Sequence, residues 1–307
     1  MLKYLPEGKL MNTKDNIRSL KNPDSIRDAY KSGKILEARV MLCDNDHNLH
    51  VDLGCMSGII PRSEGALGIS EGTTRDIALI SKVNKPVCFI ITDFAFDDYG
   101  ELYALLSRKK VQEECVENYI SQLETGDIIE AKVSHMEPFG VFADIGAGIN
   151  ALLPIDSISV SRIPNPNVRF SVNQDIKAIV KSRDEFGRIV LSHKELLGTW
   201  EENASRFSVG ETVPGVVRST EKYGIFVELA PNLAGLAELT ENVLPGQSTS
   251  VYIKSIIPER MKIKLIIVDC FDSAYPPEKL NYFIEEKHIS YWRYSPENSD
   301  KIVESFF

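Results

Sequence analysis

The sequence is poor in the features that mark secreted, membrane-bound or strongly basic proteins. Its 307 residues include five cysteines, an odd number without a C-x-x-C pair, which disfavours a disulfide framework. No apolar run reaches the length of a membrane-spanning helix, and the first residues lack the apolar stretch of a secretory signal. Lys and Arg number 35 against 44 Asp and Glu, which gives a formal net charge of −9. We therefore expect a cytoplasmic protein with reduced cysteines and no membrane partner.

The motifs of common enzymes are missing as well. The chain contains no H-E-x-x-H, Walker lysine motif, G-x-S-x-G or paired-carboxylate arrangement. Its acidic balance also argues against a wide basic surface that would hold duplex nucleic acid without sequence preference. We expect no enzymatic activity, no cofactor and no small-molecule substrate, and any nucleic-acid binding has to come from local sites.

One group of residues has the chemistry of a metal site. Cys43, His47, His50 and Cys55 form C-x3-H-x2-H-x4-C, which offers four zinc-ligand side chains within one hairpin. This spacing matches none of the common zinc patterns, and alternation along a strand would send the two histidines to opposite faces. We expect a neutral surface patch without metal, and a zinc site is the alternative.

The sequence repeats itself at an offset of 84 residues. Two glycines and two aromatic residues recur within G-D-I-I-E-A-K-V…F-G-V-F-A-D-I and G-E-T-V-P-G-V-V…Y-G-I-F-V-E-L. A third, more diverged copy precedes them, since residues 35–40 are nearly identical to residues 128–133. Such self-similarity indicates a tandem array in which each copy is a small fold with its own core. The matched residues are Gly126 and Gly210, Phe139 and Tyr223, Gly140 and Gly224, and Phe142 and Phe226.

Each copy has the pattern of a small all-β barrel. Short β-branched or aromatic runs are separated by Gly, Pro, Asn and Asp, and five such runs predict an OB-type barrel. Apolar residues at helical spacing between the copies predict short helical linkers. The predicted fold class is all-β, with three tandem OB-type barrels, helical linkers and an aromatic-rich tail. The predicted boundaries are 1–33 for a basic lead-in segment, 34–108 for module one, 109–124 for a helical linker, 125–196 for module two, 197–208 for a second helical linker, 209–270 for module three and 271–307 for the C-terminal tail.

The repeated segments resemble the S1 RNA-binding domain family. The resemblance is carried by the G-x-x-x-x-a-x-V and F-G-x-F segments, by Gly235 and Leu236 on the third strand, and by R-I-V-L-S at residues 188–192. It covers about residues 30–270, and the array is similar to a short form of the ribosomal S1 proteins. The resemblance implies an OB fold in each copy. It also implies binding of single-stranded RNA or mRNA on one barrel face, in a translation-related role.

The repeated rings are the main candidate RNA-binding residues. Bases of single strands expose flat faces, so paired rings beside a cation form a stacking platform that tolerates many sequences. Rings three positions apart are not explained by simple inward alternation along a strand. The resemblance adds an acidic and a basic position from the D-x-x-x-R turn before the last strand. The alternative is that the rings are core residues and the charges are solvated. The full set is Phe139, Phe142, Asp184, Arg188, Tyr223, Phe226 and Lys262.

Modules two and three depart from the family pattern at several positions. The histidine that the family often places on the third strand is Pro154 in module two and Glu238 in module three, so one RNA contact is lost in each. The acidic turn position becomes Pro258 in module three, where Ile266 also replaces the final serine. The resemblance therefore implies that module two is the better RNA site and module three the weaker one.

Module one departs further. His47 and His50 replace both rings, and Tyr103 stands where the basic residue would be. In ribosomal members of the family the leading domains dock on the ribosome, and the resemblance implies the same use for module one. Two other functions stay open for the array. One is a protein-interaction scaffold that has given up RNA, and the other is an accessory factor of an RNA-decay nuclease.

The tail is rich in aromatic residues and net acidic. It lies outside the resemblance, and so many rings predict an ordered segment that packs on module three. If the tail covers Tyr223 and Phe226, module three is closed to RNA. The tail rings are Tyr275, Tyr282, Phe283, Tyr291, Trp292, Tyr294, Phe306 and Phe307.

Overall fold

Three closed five-stranded barrels follow one another along the chain. The computed structural model describes residues 3–272 and 280–307. The three barrels confirm the predicted all-β fold of tandem OB-type modules. In the described part of the chain, no helix is both long and apolar enough to cross a membrane.

The lead-in segment forms two short helices, α1 (Lys14–Ser19) and α2 (Pro23–Lys31). The Thr13 side chain accepts the backbone N–H of Asn16, and the Asn22 side chain accepts that of Ser25, so each helix has a side-chain N-cap. Ile26 of α2 is fully buried and belongs to the core cluster of the first barrel. The lead-in is therefore packed on that barrel.

The first barrel has its five strands in the order β1-β2-β3-β5-β4. Its core is built from inward-facing residues such as Leu36, Val40 and Leu49, all with no exposed surface, because alternate residues of each strand face the barrel interior. The elements are β1 (Leu36–Cys43), β2 (Leu49–Asp52), β3 (Ser57–Ile60), the short helix α3 (Ile77–Ile80), β4 (Pro86–Phe96) and β5 (Leu102–Ser107).

The second barrel repeats this strand order after a helical linker, α4 (Lys109–Asn118). Two short 3-10 turns, Ile155–Ser157 and Pro166–Val168, lie in the long connection between its third and fourth strands. This connection forms one side of a cavity beside the third barrel. The strands are β6 (Ile128–Glu137), β7 (Gly140–Asp144), β8 (Asn150–Pro154), β9 (Asp175–Arg183) and β10 (Ile189–Ser192).

The third barrel has the same order again. It follows a 3-10 segment, Lys194–Leu197, and helix α5 (Trp200–Ala204). Thr199 and Glu202 form a capping box at the start of α5, which explains why the helix begins there. The strands are β11 (Thr212–Glu221), β12 (Gly224–Ala230), β13 (Leu233–Ala237), β14 (Ser248–Ile257) and β15 (Lys262–Phe271).

The described part of the tail packs on both the second and the third barrel. Trp292, within strand β16 (Tyr291–Arg293), and Tyr294, directly after it, are buried in the core cluster of the third barrel. Strand β16 pairs with β17 (Glu304–Phe306). Earlier in the tail, the N–H of Phe283 donates to the carbonyl of Leu196. Tyr275, which we assigned to the tail, lies outside the described residues.

The chain divides into two compact units. The first consists of Met1–Leu123 with Asp144–Asn150, and the second of Glu124–Ala143 with Ala151–Phe307. Within the second unit, the side chain of Asn232 on the third barrel accepts the N–H of Val160 at 2.9 Å and donates to the carbonyl of Lys194 at 2.7 Å. The second and third barrels are thus joined by buried polar contacts as well as by the tail.

Candidate nucleic-acid interface

In the second barrel, the two candidate rings lie on one hairpin and face outward. Only Pro138 and Phe139 separate strands β6 and β7, and Phe142 follows on β7. Phe139 is 55% exposed and Phe142 is half-buried. Their ring centroids lie 6.1 Å apart with the planes at 90°. This edge-to-face pair is accessible from solvent. Because Phe139 lies in the hairpin loop, the alternation of inward and outward side chains along a strand does not apply to it.

The third barrel repeats this arrangement. Lys222 and Tyr223 form the hairpin loop, and Phe226 lies on β12. Tyr223 is 70% exposed, so the described tail does not cover it. The two ring centroids lie 6.0 Å apart with the planes at 89°. Two barrels of different sequence thus present the same ring pair in the same geometry.

A glycine is needed between the two rings because a side chain there would clash with the neighbouring strand. The sequence alone did not show this. A Cβ on Gly140 would lie 2.5 Å from the carbonyl oxygen of Leu153, and a Cβ on Gly224 would lie 2.6 Å from that of Ala237. Real Cβ atoms do not approach a backbone oxygen so closely. The glycine therefore lets the ring-bearing strand pack against its neighbour.

In the third barrel, Phe226 belongs to a row of outward residues. It pairs with Leu236 on β13, and Leu236 pairs with Lys264 on β15. Phe226 and Leu236 are half-buried and Lys264 is exposed, whereas the neighbouring Ile225 and Leu265 are buried. The row therefore places a ring and a cation on one face, which suits a base and a phosphate of one strand.

Lys262, the candidate cation of the third barrel, is exposed and opposes Ile257 on β14. It lies two residues before Lys264, so both lysines project from the same side of β15. Lys264 was not among the candidates. The alternation Lys262-Ile263-Lys264-Leu265 was the signal that could have identified it, because charged and apolar residues alternate at the strand period.

In the second barrel, the candidate cation Arg188 lies just before β10, with 69% of its side chain exposed. Its Nε lies 2.7 Å from Oδ2 of Asp184, at the other end of the β9–β10 turn. Asp184 Oδ1 also accepts the backbone N–H groups of Phe186 and Arg188, each at 2.9 Å. Burial alone would raise the pKa of Asp184, but these hydrogen bonds and the guanidinium hold it below its usual value. The carboxylate fixes the turn and orients Arg188.

Phe186 is an outward ring that sequence reasoning missed. It is 72% exposed, and the guanidinium carbon of Arg188 lies 5.0 Å from the centre of its ring. A cation stacked on an exposed ring is held in place for a ligand. In the third barrel the corresponding turn contains Met261 in a left-handed conformation, with φ of +49°, and no ring. The aromatic residue inside the D-x-x-x-R turn was the available signal.

His135 is a second residue that was missed. Its ring is stacked on that of Phe142, with centroids 6.3 Å apart and planes at 22°, and Nε2 lies 2.6 Å from Glu137 Oε1. The residue is exposed on β6. In the third barrel the position opposite Phe226 is Ser219, so only the second barrel extends its ring pair with a third planar group.

The first barrel presents different chemistry at the same positions. His50 pairs with Ile59, Ile59 with Leu105, and Leu105 with Asp93, so the row equivalent to that of Phe226 carries an acid and no lysine or arginine. Tyr103, two residues before Leu105, is half-buried. The first barrel therefore lacks the ring-and-cation face of the other two.

The two candidate zinc-binding histidines of the first barrel are separated by local structure. His50 Nε2 lies 3.0 Å from Oδ2 of Asp44. His47 sits in the five-residue loop between β1 and β2 with φ of +63°, a left-handed conformation that neither loop ring of the other barrels adopts. Among the described residues, no group of three or more His, Cys, Asp or Glu side chains is arranged to hold a metal ion.

Two solved structures are among those similar to the chain. One is a multidomain protein with nucleic acid binding domains from Streptococcus pneumoniae TIGR4, at 14% identity and a TM-score of 0.25 over 77% of this chain and 74% of that one. The other is GSP13 from Bacillus subtilis, at 25% identity and a TM-score of 0.22 over 23% of this chain and 55% of that one.

Curated relatives share more of the sequence. Small ribosomal subunit protein bS1 of Staphylococcus aureus (strain COL) is 34% identical over 180 residues, which cover 53% of this chain and 46% of the relative. The bS1 protein of Staphylococcus haemolyticus (strain JCSC1435) is 32% identical over 182 residues, with the same shares covered. The chain thus spans about half the length of the curated relatives it matches.

The second barrel matches a family model. The model is described as S1 RNA binding domain, and it covers residues 122–194. The matched segment includes all five strands of the second barrel, both of its candidate rings and the turn that holds Arg188. Residues 122–194 of this chain therefore match the S1 RNA binding domain model over a complete barrel.

Proposed function

We propose that the protein binds single-stranded RNA on the outward faces of its second and third barrels, in a translation-related role similar to that of the bS1 relatives. The observation that carries this proposal is the ring pair that occurs twice with the same geometry, at 6.1 Å and 90° in one barrel and 6.0 Å and 89° in the other. Exposed aromatic faces beside cations are what single-stranded bases and phosphates recognise.

The charges near the rings support binding at local sites. The chain as a whole carries a net charge of −9, which opposes a general attraction for RNA. Arg188 beside the second ring pair, and Lys262 and Lys264 beside the third, supply positive charge where stacking would hold a strand. Because few phosphates are contacted, we expect a shallow dependence of affinity on salt.

The second barrel is the stronger of the two sites. It adds Phe186 and His135 to its ring pair, whereas the third barrel has Met261 and Ser219 near the equivalent positions. Each stacked base contributes about 1–3 kcal/mol, and part of this gain offsets the ordering of the RNA. We expect micromolar binding at each barrel, strengthened when one strand reaches both.

The first barrel has a different use in this proposal. Its row of His50, Ile59, Leu105 and Asp93 offers no ring-and-cation face, and we propose that it docks on another macromolecule, with the ribosome as the first candidate. We also propose that the protein acts in the cytoplasm, and that it works by binding without catalysing a reaction.

The test is binding of fluorescent 12-nucleotide single-stranded RNAs to the wild type and to the Phe139→Ala/Phe142→Ala variant, over a salt series. Loss of two rings should weaken binding by at least about 30-fold, from about 1–3 kcal/mol per base at 1.4 kcal/mol per tenfold. Circular dichroism checks that the variant is folded. No binding by the wild type at tens of micromolar protein would sink the proposal in favour of a protein-interaction scaffold.

A further inference from the structure

A cavity of about 680 Å³ lies within the second unit, beside the third barrel. One side is formed by the long connection of the second barrel, through Asn167 and Arg169, and the other by strands β11 and β12 of the third barrel. Arg206 and Phe207, in the segment after α5, line it as well. Cavities of this size are typical of sites that enclose a small ligand or part of a larger one.

The cavity is positively charged in an acidic protein. Its charged lining residues are Arg169, Arg206, Arg218 and Glu228, so the formal charge is +2. Arg218 holds both oxygens of Glu228, through Nε at 2.9 Å and Nη2 at 2.8 Å. Arg169 reaches the same carboxylate through Nη2 at 2.5 Å. One carboxylate therefore balances two buried or half-buried guanidinium groups, and positive charge is left over.

Arg169 also has an unused donor. The residue is only 7% exposed, and its Nη2 contacts Glu228 and the carbonyl oxygen of Pro231, but its Nε–H has no acceptor. A buried donor without a partner is unfavourable, so such a group is expected to find one. An anionic oxygen entering the cavity would supply it, since guanidinium groups bind phosphate oxygens well.

Most of the remaining cavity wall is apolar. Phe207, Val213, Val216 and Leu229 line it, and the guanidinium of Arg206 lies 5.9 Å from the centre of the Phe207 ring. Apolar walls and an aromatic ring suit a flat base, and the arginines suit a phosphate. A nucleotide combines these two kinds of group in one ligand.

The cavity also continues the candidate RNA face. Glu228 lies two residues beyond Phe226 on β12, so both side chains project from the same face about 7 Å apart. Val216, opposite Glu228 on β11, lines the cavity too. An RNA strand with one base stacked on Phe226 would therefore have its next nucleotide near the arginines.

We propose that this cavity binds one nucleotide, with the phosphate against Arg169 and Arg206 and the base against Phe207 and Val216. The nucleotide belongs either to an RNA strand already stacked on Phe226, in which case the proposal rests on the proposed function, or to a free nucleoside monophosphate. The two sources share one chemistry, and the experiment separates them.

Two variants test the cavity while leaving the buried Arg169–Glu228–Arg218 cluster in place. Asn167→Trp puts a large ring at the cavity from an exposed position, and Arg206→Glu reverses an exposed charge of the lining. Lys301→Glu, an exposed tail residue that does not line the cavity, is the matched charge control. Tryptophan fluorescence and circular dichroism check that each variant is folded.

Calorimetric titration with AMP and UMP, and fluorescence titration with the 12-nucleotide RNAs, give the readout. If the nucleotide is free, the wild type and Lys301→Glu bind a monophosphate, and both cavity variants weaken that binding by at least about tenfold. If it belongs to RNA, monophosphates do not bind, and both cavity variants weaken RNA binding by about fivefold or more relative to Lys301→Glu.

Other outcomes overturn the cavity proposal, the proposed RNA function or both, and they tell the two apart. If removal of Phe139 and Phe142 weakens RNA binding but neither cavity variant changes RNA or monophosphate binding, the RNA function stands and the nucleotide cavity is wrong. If a monophosphate binds as described but the wild type binds no RNA, the cavity stands and the RNA function is wrong. If the wild type binds neither ligand, both are wrong.

Discussion

The first and second barrels share a strand order but present different chemistry at equivalent positions. In the second barrel the outward face carries Phe139, Phe142 and Arg188, and in the first the matching positions are His47, His50 and Tyr103. The inward residues of both are buried and mostly aliphatic, so both barrels have a closed apolar core. The difference shows that the fold is maintained by the inward residues, while the proposed RNA function rests on a few outward residues that the fold does not require.

The largest expected effect comes from removing the rings of both candidate RNA-binding barrels. Tyr223→Ala/Phe226→Ala should weaken RNA binding less than Phe139→Ala/Phe142→Ala does, because the second barrel has additional planar groups. The four-ring variant should show no binding at tens of micromolar protein. The same change in the first barrel, His47→Ala/His50→Ala, should leave RNA affinity unaltered. Equal losses of RNA affinity in His47→Ala/His50→Ala and Phe139→Ala/Phe142→Ala would show that the first and second barrels do not differ in RNA binding.

A smaller effect, on the pH dependence of the free energy of unfolding, is expected from His193, which is fully buried in the second unit. Burial lowers its pKa to about 4, even though Nδ1 donates to the carbonyl of Ile158 at 3.1 Å. The hydroxyl of Tyr282, 3.3 Å from Nε2, is then the donor to the unprotonated nitrogen. The ring is thus neutral in the folded state, whereas in the unfolded chain its pKa is near 6.5.

Between pH 6.5 and 4 the unfolded state therefore binds a proton that the folded state does not. The free energy of unfolding should fall by about 3 kcal/mol as the pH is lowered through this window, at 1.36 kcal/mol per pKa unit. Urea unfolding followed by the fluorescence of Trp200 and Trp292, both in the second unit, measures it. His193→Gln, which cannot titrate, should flatten the curve, and an unchanged slope in that variant would contradict the assignment.

Glu37 of the first barrel gives the opposite pH dependence. Burial raises its pKa to about 7, with help from the charge of Glu7, although its Oε2 accepts backbone N–H groups, including that of Leu10. Its folded-state pKa lies above the unfolded value, so its contribution is present below pH 4.5 and is lost as the pH rises toward 7. The protection factors of the β1 amides against hydrogen exchange should therefore fall over this range in the wild type and change less in Glu37→Gln.

The next effect concerns packing. Gly140→Ala should lower the free energy of unfolding by about 1–3 kcal/mol, because the added Cβ meets the carbonyl oxygen of Leu153. The first barrel has Asn48 at this position, so the close approach is particular to the ring-bearing barrels. Phe139→Ala, at the exposed neighbouring residue, is the control and should unfold at nearly the wild-type urea concentration. Equal stability of the two variants would mean that the strand can shift to admit a side chain.

The smallest effect is electrostatic. Arg188→Ala should reduce the slope of log affinity against log salt by about 1, the change expected for one lost phosphate contact. In the first barrel, Tyr103→Arg should leave RNA affinity unchanged, since a cation without rings beside it is not a stacking platform. A gain of RNA binding in Tyr103→Arg would show that charge alone separates the two barrels.

Much of the fold and the centre of the site could be read from the sequence. Strand alternation and the repeat located the barrels, and the recurrence of Phe139 as Tyr223 identified the ring pair. Phe186 and Lys264 were missed although the turn and the strand alternation carried a signal for each. His135 was missed because its stacking on Phe142 depends on which residues face one another across strands. That information comes from register, which one sequence does not contain.

The cavity could not be predicted for a related reason. Arg169 lies in a connection between strands, and nothing in its local sequence shows that it pairs with Glu228, 59 residues later in the chain. A cavity of this kind arises from the packing of one barrel against the loop of another. Long-range packing decides its shape and charge, whereas local patterns report only the elements.

The tail has a consequence for how RNA length affects binding. The Tyr282 hydroxyl accepts the N–H of Lys177 on the second barrel, and the Tyr294 hydroxyl donates to the carbonyl of Asn232 on the third. One segment thus contacts both candidate RNA-binding barrels, and we expect it to hold the distance between their ring pairs constant before RNA binds. A strand too short to bridge that distance gains nothing from the second site, whereas one just long enough meets it at high effective concentration. Affinity should therefore rise with RNA length in a step.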